Sequence, residues 1–296
     1  MGEHMSEATD VPGTTEPYPH EGREIYPSAP LRFVASELIF PPVLALQDER
    51  MKREIYARLR GLFPVPAAGP PIMGGFGIQL SPGGAVSAAV PPPGIPSPAA
   101  GLRVMNRDRT ASATVTISSL LVETSAYVRY EEFRDLIRAA LEAVAEVDEI
   151  PGMQRLGLRY VDEIRLAEIE HPRDWEPYFD SSLHGPIRLL DHANPQVTQG
   201  LVEYGIAPQR QLVLRYGATS GWAVDPNGPL RLKTNEDGPY FLLDIDSFWT
   251  APPELLPEYT LESAVSLCNE LHAPIRQLFE ASITDKLRDV FREEPT

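Results

Sequence analysis

The sequence predicts an α+β fold: a mainly antiparallel sheet with long helices packed on one face. Three observations predict it. Strand-like segments come in consecutive groups rather than alternating singly with helices, which argues against a doubly wound parallel sheet. Each group is followed by a long amphipathic helix. The order strand, helix, strands, long helix in residues 26–150 then repeats in 151–296. Two such units side by side would form one extended sheet, with its other face or the groove between the units as the natural binding surface.

Residues 1–25 carry six acids and one base, Arg23, with few large apolar groups, and read as a disordered leader. Leu31–Phe40 is rich in Phe, Val, Ile and Leu and reads as a strand, stopped by Pro41-Pro42 because proline cannot donate to a ladder. A helix is expected over 46–59, ending at Gly61. The stretch 61–102 contains no charged residue, and Ser81–Ala100 holds six prolines and three glycines. That composition excludes a helix and predicts an irregular excursion, entered by a short strand at 76–80 and the turn Ser81-Pro82-Gly83-Gly84. Arg103–Met105 and Ala111–Ile117 read as a hairpin around Asn106-Arg107-Asp108, with Leu120–Thr124 continuing the sheet. Phe133, Ile137, Leu141 and Val144 recur at helical spacing and predict a helix over 130–147.

In the second half, 156–166 reads as a strand and 175–179 as a short helical piece. Strands follow at 201–206, 211–216 and 240–248, with a turn at Asp225-Pro226-Asn227-Gly228. The last helix is predicted over 260–291, with Thr260 as N-cap and an apolar stripe from Leu261 through Cys268, Leu271 and Phe279 to Val290. Pro274 inside it is expected to bend it. Thirty-one residues at 1.5 Å each span about 46 Å, more than the ~35–40 Å of one unit. The far end therefore needs cover, and a two-fold homodimer is the commonest way to supply it.

Charge and composition exclude several function classes. The formal net charge of −16 repels nucleic acid and anionic membranes. No apolar run approaches the ~20 residues of a membrane span, and the N-terminus has no basic start followed by an apolar core, so no signal peptide is expected. The single cysteine, Cys268, forbids an internal disulfide and fits a reducing, cytoplasmic compartment. Gly74-Gly75-Phe76-Gly77 has neither the GxGxxG nor the GK[ST] pattern, and HExxH, CxxC and GxSxG are absent. His171, His184 and His192 have no ligand spacing, and His272 reads as a surface or core-edge side chain. No metal or cofactor is expected.

The candidate site is a charged row. Alternation along the mid-chain strand puts Arg159, Val161, Glu163 and Arg165 on one face and Tyr160, Asp162 and Ile164 on the other. Arg215, Asp244 and Asp246 on later strands would join Arg159 and Glu163 if the row points into the groove; otherwise it is a solvated face. Thr234–Ile275 carries eight acids and no Lys or Arg, and reads as an acidic solvated surface or a docking face for a basic partner. The expected function is a non-enzymatic binding or accessory protein that takes a partner protein, peptide or small molecule. The alternative is a hydrolase or biosynthetic tailoring enzyme using the Arg/Glu/Asp charges.

Tyr26-Pro27-Ser28-Ala29-Pro30-Leu31, Leu156-Gly157-Leu158-Arg159-Tyr160-Val161-Asp162-Glu163-Ile164 at mid-chain, and Leu271-His272 with Phe279-Glu280-Ala281-Ser282-Ile283-Thr284 together resemble a sporadically distributed bacterial family of uncharacterised proteins. The resemblance spans roughly 26–291. It implies a bacterial, cytoplasmic protein and no catalytic residues. Asp162 stands where the resemblance leads one to expect asparagine.

Overall fold

The computed structural model describes residues 24–67, 78–80, 86–88, 101–190, 192–233 and 237–294. The readings of residues 1–23 and of most of 68–100 lie outside the described residues. The elements in chain order are β1 (Leu31–Ile39), α1 (Glu49–Leu59), β2 (Val65–Pro66), β3 (Ile78–Leu80), β4 (Val86–Ala88), β5 (Leu102–Met105), β6 (Ala111–Val115), β7 (Ser119–Thr124) and α2 (Tyr130–Ala145). They continue with β8 (Arg155–Ile164), β9 (Gly200–Ala207), β10 (Arg210–Ser220), β11 (Pro239–Thr250), α3 (Leu261–Ser282) and α4 (Asp285–Arg292).

Among the described residues nine strands form one antiparallel sheet in the order β2-β5-β6-β7-β1-β8-β11-β10-β9, and β3 and β4 pair separately. The centre is the β1–β8 pair, with Ala35 opposite Arg159 and Ser36 opposite Leu158. The strand beside β1 is β7, the last of its half, and the strand beside β8 is β11, the last of its half.

Period-two alternation divides this sheet into two chemically different faces. Val34, Leu38, Val122, Leu156, Leu158, Tyr160, Leu243 and Ile245 point to one side and share a core with the helices. On α2 the buried residues include Phe133, Ile137, Leu141 and Val144, the stripe expected from spacing. Burying each contributes roughly 1.5–3 kcal/mol, which is why a helix with charged outer residues lies flat on the sheet. α3 packs against β8 and β11, α2 against β7 and α3, and α1 against α2 and β5. Thr260 caps α3, its hydroxyl accepting from the Ser263 amide at 3.0 Å.

Several boundaries differ from the sequence expectation. Residues 44–47 are a 3-10 turn, and α1 begins only at Glu49 because the Asp48 side chain caps it by accepting from the Arg50 amide. The C-terminal helix, expected as one element over 260–291, is two: α3 continues through Pro274 to Ser282. The division falls later, at Ile283, which is extended and pairs with Phe179. There the Asp180 amide donates to the Ser282 carbonyl and the Thr284 amide to the Tyr178 carbonyl. These long-range bonds end the helix where periodicity saw only a continuing stripe.

The cover for that stripe is intramolecular. Tyr26 packs against Phe279 at 6.5 Å and Phe291 at 5.7 Å between ring centroids. The Ser28 amide donates to the Phe291 carbonyl, and Arg292 grips Glu24 at 2.6 and 2.9 Å. The unpaired apolar end that motivated a homodimer is therefore absent from the described residues. Among the described residues no helix is long and apolar enough to cross a membrane.

Candidate functional site: a tyrosine-walled cavity over Asp162

The charged row is real as a row, and it is internally paired. Arg159, Glu163, Arg215, Asp244 and Asp246 all project from the sheet face opposite the helices, as the alternation and register require. Arg159 forks onto Asp244, with Nε to Oδ1 at 2.6 Å and Nη2 to Oδ2 at 2.7 Å, and both side chains are buried. Arg215 adds a longer contact to the same carboxylate at 3.5 Å. Asp246 and Glu37 flank Arg155 at 3.6 and 3.5 Å. Burial pushes both carboxyls above their ordinary range, while Arg155 pulls each back. Glu163 accepts from Arg32, Arg165 and the Ala223 amide. Further along, Arg103 donates to Glu123 at 2.9 Å and Ser112 to the same oxygen at 2.8 Å.

Each of these carboxylates has a guanidinium against it, so the row neutralises itself. Such a network fixes strand register and costs several kcal/mol to break, because the remaining partner stays buried without its counter-charge. The reading of Thr234–Ile275 as an acidic solvated surface does not hold at Asp244 and Asp246, which are buried. Among the described residues, no group of three or more His, Cys, Asp or Glu side chains is placed to hold a metal ion.

The other face of the same strand carries the feature that the charged row obscured. Asp162 follows Tyr160 on the helix side of β8, beneath α3, and is only 4% exposed. Among the described residues no donor or cation pairs with its carboxyl. Burial, and secondarily the Asp244 charge on the neighbouring strand, push its pKa up to about 8. At neutral pH it therefore keeps its proton.

Asp162 and Tyr160 line a cavity of about 540 Å³. The walls come from four places. The segment before β1 contributes Tyr26 and Pro30, the turn into α2 contributes Tyr127, Arg129 and Tyr130, and α3 contributes His272, Ile275 and Arg276. β11 contributes Ile245. Each wall is fixed by packing. Tyr130 stacks on His272 at 3.8 Å with the rings 5° from parallel, and its hydroxyl donates to Asn269 at 3.0 Å. Tyr127 meets Tyr160 edge-on at 5.4 Å and Phe133 at 6.3 Å. The Tyr160 hydroxyl is buried and makes no hydrogen bond of good geometry among the described residues; Tyr127 is its polar neighbour. Burial raises the pKa of Tyr127 to about 12 and pushes those of Tyr130 and Tyr160 up as well, so all three remain neutral.

Sequence reasoning placed Asp162 on the same face as Tyr160 and Ile164 but drew no site from it. The usable signal was there: a carboxyl on the apolar face of a strand is expensive unless something compensates it. His272 was placed as a surface or core-edge residue, and it is a core-edge residue that lines the cavity. Tyr127 and Tyr130 carried no sequence signal, because their convergence on β8 is a product of how α2 lies. Cys268 is buried nearby, with Ser36 as its polar contact, and burial pushes its thiol up to about 12, which leaves it unreactive. Comparison of the chain with protein-family models, curated proteins and solved structures finds no match.

Proposed function

We propose that this is a non-enzymatic binding or accessory protein that holds a small molecule in the cavity over Asp162. The observation that carries the reading is a buried carboxyl without a protein partner, lining a preformed cavity of about 540 Å³ with aromatic walls. An acid in that position is costly in the empty protein, and a ligand that engages it recovers the cost. The charged face takes a supporting role in this reading, since its carboxylates already have guanidinium partners. The resemblance to a sporadically distributed bacterial family belongs to the same proposal, as does a reducing, cytoplasmic setting, favoured by the single buried cysteine.

An internal duplication is part of the reading. It is supported by the matching positions of β7 beside β1 and β11 beside β8. Ala35-Ser36-Glu37-Leu38 then aligns with Val161-Asp162-Glu163-Ile164, and Ala35 faces Glu123 as Val161 faces Asp244. Under this alignment Ser36 is the counterpart of Asp162. Ser36 lies beneath Cys268, whereas Asp162 faces a cavity.

A second reading is favoured by one observation. A carboxyl that holds its proton to about pH 8 suits a general acid, as an enzyme would need. The test of the leading reading is methyl NMR with isoleucine-labelled protein and a library of small aromatic compounds. Binding compounds are expected to shift Ile245 and Ile275, which line the cavity, and to leave Ile206 on the distant edge strand β9 unmoved. Turnover of a compound during the experiment would favour the enzyme. Shifts centred away from Ile245 and Ile275 would place the site elsewhere.

A further inference from the structure

We infer that the cavity is a seat for a small organic ammonium ion, its cationic head on the Asp162 carboxyl and its apolar body among the rings of Tyr127, Tyr130 and Tyr160. The inference rests on the reading of this cavity as a ligand site and specifies its ligand class.

Three features of the site select a cation. The first is the unpartnered, nine-tenths buried carboxyl itself, which has acceptor oxygens and no protein donor among the described residues. The second is the wall chemistry. Tyrosine ring faces attract cations through their quadrupole, more strongly in a desolvated site, and Tyr127, Tyr130 and Tyr160 line this one. The third is charge. Four carboxyl groups (Glu24, Glu131, Asp162, Glu280) and two guanidiniums (Arg129, Arg276) line the cavity. Glu24, Glu280 and Arg129 are already paired with Arg292, Arg288 and Glu132. Among the described residues that leaves Glu131 against Arg276, with Asp162 adding a second negative charge once its proton has left, within a chain of net charge −16 that draws cations from solution.

Seating the ammonium requires the Asp162 proton to leave, so binding is coupled to proton release. The groups that bear on this carboxyl are Tyr160 on its own strand and Asp244 on the opposite face of β11. From the other walls come Tyr26 and Glu24, then Tyr127, Arg129, Tyr130 and Glu131, and from α3 His272, Arg276 and Glu280. The tyrosines keep their protons throughout the range in question. The carboxyl that changes state on binding is Asp162, and replacing it isolates its share of the proton release.

The experiment uses three probes of similar shape: phenethylammonium, neutral phenethyl alcohol and anionic hydrocinnamate. Binding is read by calorimetry near pH 7 in two buffers of different ionisation enthalpy, and by the Ile245 and Ile275 methyl signals. Phenethylammonium is expected to bind best and to release close to one proton, a release that fades as the pH passes about 8. Asp162→Asn is expected to weaken it by about tenfold or more and to abolish most of the release. If the alcohol or the carboxylate binds as well or better, with the same methyl shifts, the ammonium assignment is overturned while the cavity stands as a ligand site. The same holds if Asp162→Asn leaves phenethylammonium affinity and proton release unchanged. If no probe moves either methyl, both the ammonium assignment and the reading beneath it are overturned.

Discussion

Asp162→Asn is expected to stabilise the protein, by an amount that grows with pH. The unfolded chain releases the Asp162 proton near the ordinary aspartate value of 3.8, whereas the folded chain holds it until about 8. Between those values the native state binds more protons than the unfolded state, so the wild type loses stability as pH rises and levels off above about 8. Asparagine fills the same space without titrating and lacks that slope. The gap corresponds to at most about 6 kcal/mol above pH 8, and water entering the cavity lowers the realised gain to about 2–6 kcal/mol. Paired urea denaturations from about pH 4 to about pH 9 measure it. The two proteins should coincide at the acid end and diverge steadily towards the alkaline end. Because Glu37, Glu123 and Asp246 are also pushed up by burial, the wild-type slope alone is a sum, and the difference between the two proteins isolates Asp162. Curves that run parallel at every pH would show that Asp162 is not a desolvated acid.

The opposite sign is expected on the other face. Asp244→Ala removes the carboxylate that two guanidiniums share: Arg159 loses both arms of its fork in a buried site, and Arg215, half-buried, loses its 3.5 Å contact. Breaking one side of a buried, hydrogen-bonded ion pair costs about 3–5 kcal/mol. Arg215→Met, which removes only the 3.5 Å contact, should cost much less. Chemical denaturation at neutral pH distinguishes them. Asp244→Ala should also lower the Asp162 midpoint, since the Asp244 charge helps to hold it up across the strand pair. A loss below about 1 kcal/mol for Asp244→Ala would show that the charged row is solvated after all.

Much of this architecture was legible because it follows from local chemistry. Alternation along 155–165 assigned Arg159, Glu163 and Arg165 to one face and Tyr160 and Asp162 to the other, and register follows from that assignment. The spacing of Phe133, Ile137, Leu141 and Val144 located α2 to within two residues at its C-terminal end. What was not legible depends on distant partners. The break at Ile283 exists because Tyr178 and Asp180 reach it from a segment about a hundred residues earlier. The cover over Phe279 comes from Tyr26, at the other end of the described chain. The site was half legible for the same reason. A conspicuous row of charge drew attention to the face where guanidinium and carboxylate meet. Asp162, a single acid among apolar neighbours, could be recognised as unpartnered only once α3 and the turn at Tyr127 were in place.

The measurement that tests the central claim most directly is the carboxyl ¹³C resonance of Asp162, followed from about pH 4 to about pH 9 with and without saturating phenethylammonium. The account predicts a midpoint near 8 in the free protein, displaced to lower pH when the cavity is occupied. A midpoint near 4 in the free protein, unmoved by the ammonium ion, would contradict it.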